Sequence, residues 1–187
     1  MPPKVKITKE DIVNAAVDIV RKNGGGALNA RTVAAYLNCS TQPVFSNFAS
    51  MEELRFAVVE SADNLCQQYK THEVEIGQFP TYKANGMAYI RFAKEEKELF
   101  KLLYMRDRSS EDSSIKFGID EQMETIVQNN TGLSETDARL FHLEMWAYVH
   151  GIATMFATGF LDLDWELVSK ILTDAYLGLR KQYKMED

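Results

Sequence analysis

Residues 28–54, L-N-A-R-T-V-A-A-Y-L-N-C-S-T-Q-P-V-F-S-N-F-A-S-M-E-E-L, decide the fold. Val33, Ala34 and Leu37 recur at helical spacing, and Asn29 stands just before them, where its side-chain oxygen can accept from the unpaired N–H groups of a helix start. That helix ends after about two turns. Asn38 marks the end, because Asn tolerates the left-handed backbone of a sharp turn. Ser40 is then placed to cap a second short helix carrying Thr41, Gln42, Val44 and Phe45, and Ser50 with Glu53 has the S-x-x-E spacing that opens a third. A helix, a tight turn and a short helix with a polar front are the parts of a helix-turn-helix, whose second helix enters the major groove of DNA.

Working outward, Thr8 with Asp11 opens a helix whose apolar stripe is Ile12, Ala15, Ala16, Ile19 and Val20, and Gly24-Gly25-Gly26 ends it. The glycines do not form a phosphate cradle, since neither G-x-x-x-x-G-K-[ST] nor G-x-G-x-x-G after a strand is present. On the other side, a helix is expected from about Ser50 to Tyr69, a break at Gly77 and Pro80, a helix from Tyr82 to about Glu95, and a shorter one over Leu99–Tyr104. Residues 107–114 read as a polar loop and 116–129 as a helix. Two long helices follow, 134–158 opened by Ser134 with Asp137, and another reaching about Tyr183, capped by Asp162 or Asp164. No strand-like alternation and no repeat occur, so the expectation is an all-α chain of nine helices.

Composition bounds the function. The chain has 187 residues, 45% hydrophobic and 26% charged, which is ordinary globular composition. The N-terminus M-P-P-K-V-K lacks the apolar stretch of a secretory signal, and Cys39 and Cys66 are too few for a disulfide framework or a zinc site, so a cytoplasmic address is expected. The net charge of −6 is unevenly divided: residues 1–50 hold six Lys/Arg against three acids, and the remainder fifteen against 24. A basic head on an acidic body suits a protein that meets phosphate only at its N-terminal end.

Ala27-Leu28, Arg31, Val33-Ala34, Leu37, Ser40, Phe45, Phe48, Ser50 and Glu52-Glu53-Leu54 together resemble the N-terminal DNA-binding domain of the TetR/AcrR family of bacterial transcription regulators, over roughly residues 7–60. Trp146–Gly151, W-A-Y-V-H-G, is similar to a W-x-x-x-H-G pattern in the ligand domains of some members. The resemblance implies a helix-turn-helix domain over 1–50 and a helical effector-binding and dimerisation domain over 51–187, with 51–70 as connecting helix. It also implies operator DNA, a small effector and a second copy of the chain as partners. DNA contacts are expected from Lys4, Lys6, Asn29, Arg31, Ser40, Thr41, Gln42, Phe45, Ser46 and Asn47. Gln42 suits a bidentate contact with adenine, while Arg31, Lys4 and Lys6 suit phosphate or the minor groove. The sequence departs from the family pattern in three places: Phe45 stands where Tyr is usual, Met51 where Lys is usual, and Pro43 lies inside the recognition helix, where only the first turn tolerates it.

The expected effector contacts are Met87, Phe92, Phe100, Tyr104, Met123, Trp146 and His150, bulky and adaptable side chains that serve equally well as core. His142 and His150 share a helix face but lie about 12 Å apart along it, too far to hold one ion, so no metal is expected. Asp162-x-Asp164-x-Glu166 lacks the Gly and distal Glu of a calcium loop and suits the dipole of a helix start. Leu140, Leu143, Ala147, Gly151 and Thr154 on one C-terminal helix, with Leu167, Ile171, Tyr176 and Leu179 on the next, exceed what packing on one body requires and imply a homodimer seam. The expected function is a ligand-responsive regulator, a repressor released from its operator by a small apolar or amphipathic effector. A small helical carrier or enzyme without DNA binding is the alternative, but no nucleophile–base pair or cofactor motif supports it.

Overall fold

The computed structural model describes residues 7–106 and 121–183. Among the described residues there are nine α-helices: α1 (Lys9–Asn23), α2 (Ala30–Tyr36), α3 (Gln42–Asn47), α4 (Met51–Ile76), α5 (Thr81–Glu95), α6 (Lys97–Tyr104), α7 (Glu121–Thr131), α8 (Glu135–Thr158) and α9 (Trp165–Gln182), with one 3₁₀ turn at Gly25–Ala27. The fold is all-α. The expected polar loop at 107–114 and the start of the helix expected at 116 lie outside the described residues.

Most helix starts follow local chemistry. The Thr8 hydroxyl accepts the Asp11 N–H at 3.1 Å while the Asp11 carboxylate accepts the Thr8 N–H at 2.8 Å, a reciprocal capping box. Asn29 Oδ1 accepts from the N–H groups of Arg31 and Thr32 at 3.0 and 3.1 Å, Ser134 accepts from Asp137, and Asp164 from Leu167. Each such cap stabilises its helix by about 1 kcal/mol.

Three expectations are corrected. Ser40 does not cap α3: Thr41 precedes the helix, its own backbone already helical, and no side chain supplies a cap. At α4, Ser50 accepts the Glu53 N–H at 3.1 Å, but the Glu53 carboxylate takes the N–H of Ala49 at 2.7 Å, one residue earlier than a capping box requires. Helix α4 also runs past Tyr69 to Ile76, because nothing in 70–76 breaks a helix, and Gly77, at φ +69°, then ends it.

The chain divides into two units, Met1–Gln67 with Glu96–Arg106 and Gln68–Glu95 with Asp107–Asp187. The first is built on Ile12, Ala16, Val20, Leu28, Val33, Val44, Phe48, Leu54 and Val58, all buried, together with Leu99, Phe100 and Leu103 of α6. Helix α6 packs on α1 and the 3₁₀ turn. Arg21 Nε donates to Glu96 Oε2 at 2.8 Å and Arg21 Nη1 to Asp18 at 2.9 Å, so the guanidinium is held above its usual pKa chiefly by the Glu96 hydrogen bond.

Gly24 ends α1 at φ +79°, ψ 165°, a region essentially closed to side chains, and a Cβ there lies 2.9 Å from Glu98 Oε2. The carboxylate can swing away but the backbone cannot. Gly24→Ala is therefore expected to destabilise the protein by about 1–3 kcal/mol, read as a lower urea midpoint at unchanged slope. Gly26→Ala, where a Cβ meets nothing within 4 Å, is the control and is expected to melt as the parent does.

In the second unit α8 packs against α5, α7 and α9. Gly86 of α5 allows the close approach: a Cβ there would lie 3.5 Å from Val149 of α8 and 3.8 Å from Leu172 of α9. Val127, Ala138, Phe141 and Met145 form one buried cluster, with Tyr82, Tyr176, Leu179 and Tyr183 packed around it. Glu73, buried near the end of α4, accepts from Arg91 Nε at 3.2 Å, and the Arg91 guanidinium lies 4.5 Å from the Trp165 ring.

Candidate functional site

The turn between α2 and α3 has the expected geometry. Asn38 is the described non-glycine residue at positive φ, 52°, and the N–H groups of Leu37, Asn38 and Cys39 bond back to Val33, Ala35 and Ala34. Val33 and Ala34 of α2 and Val44 of α3 are buried, which fixes the outer face of α3 as Gln42, Phe45 and Ser46, all exposed. Pro43 sits in the first turn, where its missing N–H has no intrahelical partner to lose. Ser46 Oγ donates to the Gln42 carbonyl at 2.9 Å and Asn47 Nδ2 to the Pro43 carbonyl at 2.8 Å, so both side chains turn back onto their own helix.

The remaining expected contacts divide by what they already hold. Asn29 is the α2 cap, and its Nδ2 donates to Ala27. Ser40 and Arg31 are exposed and Thr41 half-buried. Lys4 and Lys6 lie outside the described residues. Lys9 reaches Glu53 at 3.1 Å and lies 4.7 Å from the Phe48 ring centre, while Lys22 lies 5.4 Å from that of Tyr36, whose hydroxyl donates to Asp18. These clasps were not legible in the sequence, because each joins residues far apart in the chain.

In the second unit, residues seven apart on α5 meet residues eight apart on α8. Tyr82 Oη lies 2.9 Å from His142 Nδ1, and Tyr89 Oη 2.9 Å from His150 Nδ1. Trp146 stacks on His150, ring centres 4.9 Å apart and planes 12° apart. Burial holds His150 below the usual imidazole pKa and pushes the Tyr82 phenol up. Met87 and Phe92 are buried in this unit and Met123 is half-buried on α7. Phe100 and Tyr104 belong to the first unit, where Phe100 is fully buried and Tyr104 Oη lies 3.6 Å from Cys66 Sγ. Among the described residues no group of three His, Cys, Asp or Glu is placed to hold a metal, and no helix is long and apolar enough to cross a membrane.

An apolar face of α8 is open: Leu140 and Leu143 are each 48% exposed, Ala147 and Tyr148 are exposed, and a Cβ on Gly151 would meet nothing within 4 Å. The close approach within the chain is thus at Gly86, not Gly151. On α9, Leu167 and Leu177 are exposed, Ile171 is half-buried, and Leu179 packs into the Phe141 cluster of its own chain.

The family profile of the tetracyclin repressor-like C-terminal domain matches residues 82–175, just over half of the chain. The chain belongs to the TetR family of transcriptional regulators. Solved structures of similar fold include a TetR-like transcriptional regulator from Rhodococcus sp. RHA1 (18% identity, 96% of this chain and 98% of that one, TM-score 0.69). A TetR-family protein from Vibrio parahaemolyticus is similar at 12% identity, covering 90% and 96% of the two chains, with TM-score 0.64. The multidrug-binding protein EbrR, complexed with imidazole, is similar at 17% identity, covering 92% and 95%, with TM-score 0.58. At these identities the likeness is one of fold. No curated protein matches the chain.

The matched stretch of this TetR-family chain begins at Tyr82 and takes in both Tyr–His pairs and Trp146. It does not include the helix-turn-helix. The expected DNA contacts therefore rest on the geometry of α2 and α3.

Proposed function

We propose that this TetR-family regulator is a DNA-binding repressor that works as a homodimer and leaves its operator when a small apolar or amphipathic effector binds the body. The observation that carries the reading is the turn at Asn38 with the exposed Gln42–Phe45–Ser46 front of α3 behind it. Residues 1–50 act as the reading head and 51–187 as the effector-binding and dimerisation part, in the cytoplasm. In the head, Gln42 reads a base edge and Arg31 a phosphate.

In the body, Trp146 and His150 are half-buried members of the effector set, and their stacked rings offer a flat surface with a polar edge. The imidazole carried by EbrR is a ligand of that flat, polar-edged kind. Repression is relieved by a population shift: an effector that binds better in one arrangement of the two heads moves them off the spacing that fits DNA. The dimer seam uses the open face of α8 with Leu167 of α9.

The test is selection of preferred sequences from a randomised DNA library, followed by salt-dependent titration. Gln42→Ala is expected to lose about 1–3 kcal/mol of discrimination at one base position. Arg31→Ala is expected to weaken binding to every sequence alike and to reduce the salt slope by about 1. Equal loss of specificity in both variants would overturn the division of labour, and a library that yields no preferred sequence would overturn the DNA-binding reading itself.

A further inference from the structure

We propose that Phe45 reads thymine, by apolar contact of its ring with the C5-methyl group in the major groove, beside a base contacted by Gln42. The inference rests on the DNA-binding reading above. Phe45 is 54% exposed on a helix whose one buried residue is Val44, and among the described residues no ring or cation stacks on it. About half of the residue's surface stands open to water, which the fold does not require of an aromatic ring. That open part is removed from water only when something docks against α3.

The chemistry of the contact follows from what the ring lacks. Phenylalanine has no hydroxyl, so it cannot make the phosphate hydrogen bond that a tyrosine at this position can. In the major groove the apolar feature of a base pair is the thymine methyl, which is met by apolar side chains, Phe among them. The neighbours that would compete for the same base edges are turned away: Ser46 Oγ donates to Gln42 O and Asn47 Nδ2 to Pro43 O. Gln42 and Phe45, three residues apart on one helix face, are left side by side. A glutamine beside a phenylalanine favours adenine and thymine at adjacent base pairs.

The experiment takes the full-length protein and its selected sequence and replaces each thymine in turn by deoxyuridine, which removes the methyl and leaves the pairing edge unchanged. One position per half-site is expected to lose about fourfold in affinity, and both half-sites together about fifteen-fold, the worth of one buried methyl each. Phe45→Ala is expected to bind the thymine and deoxyuridine sequences equally, and Phe45→Leu to keep part of the difference. Thermal melts of both variants are expected to lie close to the parent, since the ring is half open to solvent and outside the buried core. Equal binding of thymine and deoxyuridine sequences by the parent overturns the proposal, as does a methyl preference that survives in Phe45→Ala. Failure to select any sequence overturns the DNA-binding reading instead, and with it the role of Phe45.

Discussion

Gly151→Leu is expected to leave a folded monomer and to weaken operator binding by roughly 10²-fold or more, the avidity lost when two linked heads become one. Within the protomer the change is mild. A Cβ at Gly151 meets nothing within 4 Å, and in a helix interior Gly is less favourable than Ala by roughly 0.8–1.0 kcal/mol, with Leu ranking close behind Ala. The partner side is different. Leu140, Leu143 and Ala147 lead up to Gly151 at spacings of three and four on α8, and Leu167 is exposed on α9, so Gly151 lies in line with the face proposed to meet a second copy. Overpacking a close seam costs about 1–3 kcal/mol, and two-fold symmetry places the change on both sides. Sedimentation across the micromolar range, with DNA titration of the same samples, reads both effects. A wild type that sediments as a monomer, or a variant that remains a dimer, overturns the seam.

The helix order was legible because the signals that start helices act over three residues. Thr8, Asn29, Ser134 and Asp164 each sit beside the N–H groups they accept from, and no distant part of the chain has to be known. Ser40 misled for a related reason. A cap needs extended backbone at its own position, and the chain enters α3 through Thr41 at φ −73°, ψ −11°, already helical. The packing of α6 was not legible at all: Arg21 meets Glu96 across 75 residues, and no local pattern marks α6 as a partner of α1. At the candidate site, the polarity of α3 was visible but the direction of its side chains was not. Whether Ser46 and Asn47 face outward or bond to the preceding turn is a competition that the residue types alone leave open, and the backbone carbonyls of Gln42 and Pro43 win it. The Tyr–His pairs show the same limit, since His142 and His150 share a face at sight while their partners are 60 and 61 residues away.

Phe48→Ala is expected to cost about 3–5 kcal/mol, because a buried aromatic is replaced by a cavity that the helices around it cannot fully close. Phe48 is 1% exposed and follows α3 directly, its N–H bonded to the Val44 carbonyl at 2.9 Å. Its ring faces the Lys9 ammonium, Lys9 reaches Glu53, and Glu53 holds the Ala49 N–H, so one side chain joins the starts of α1 and α4 to the end of α3. Removing it takes a large share of a total stability on the order of 5–15 kcal/mol and frees α3 at its C-terminal end. Helical content followed in urea is expected to show a much lower midpoint, and DNA binding should fall for all sequences together, preferred and random alike. Lys9→Ala, which removes only an exposed ion pair and a cation over the ring, is expected to cost no more than about 1 kcal/mol. Phe45→Ala, three residues away, is expected within about 0.5 kcal/mol of the parent. The two phenylalanines differ in whether the fold needs them. A melt unchanged in Phe48→Ala, or a collapse in Phe45→Ala, would show that the packing of α3 has been assigned to the wrong side of the helix.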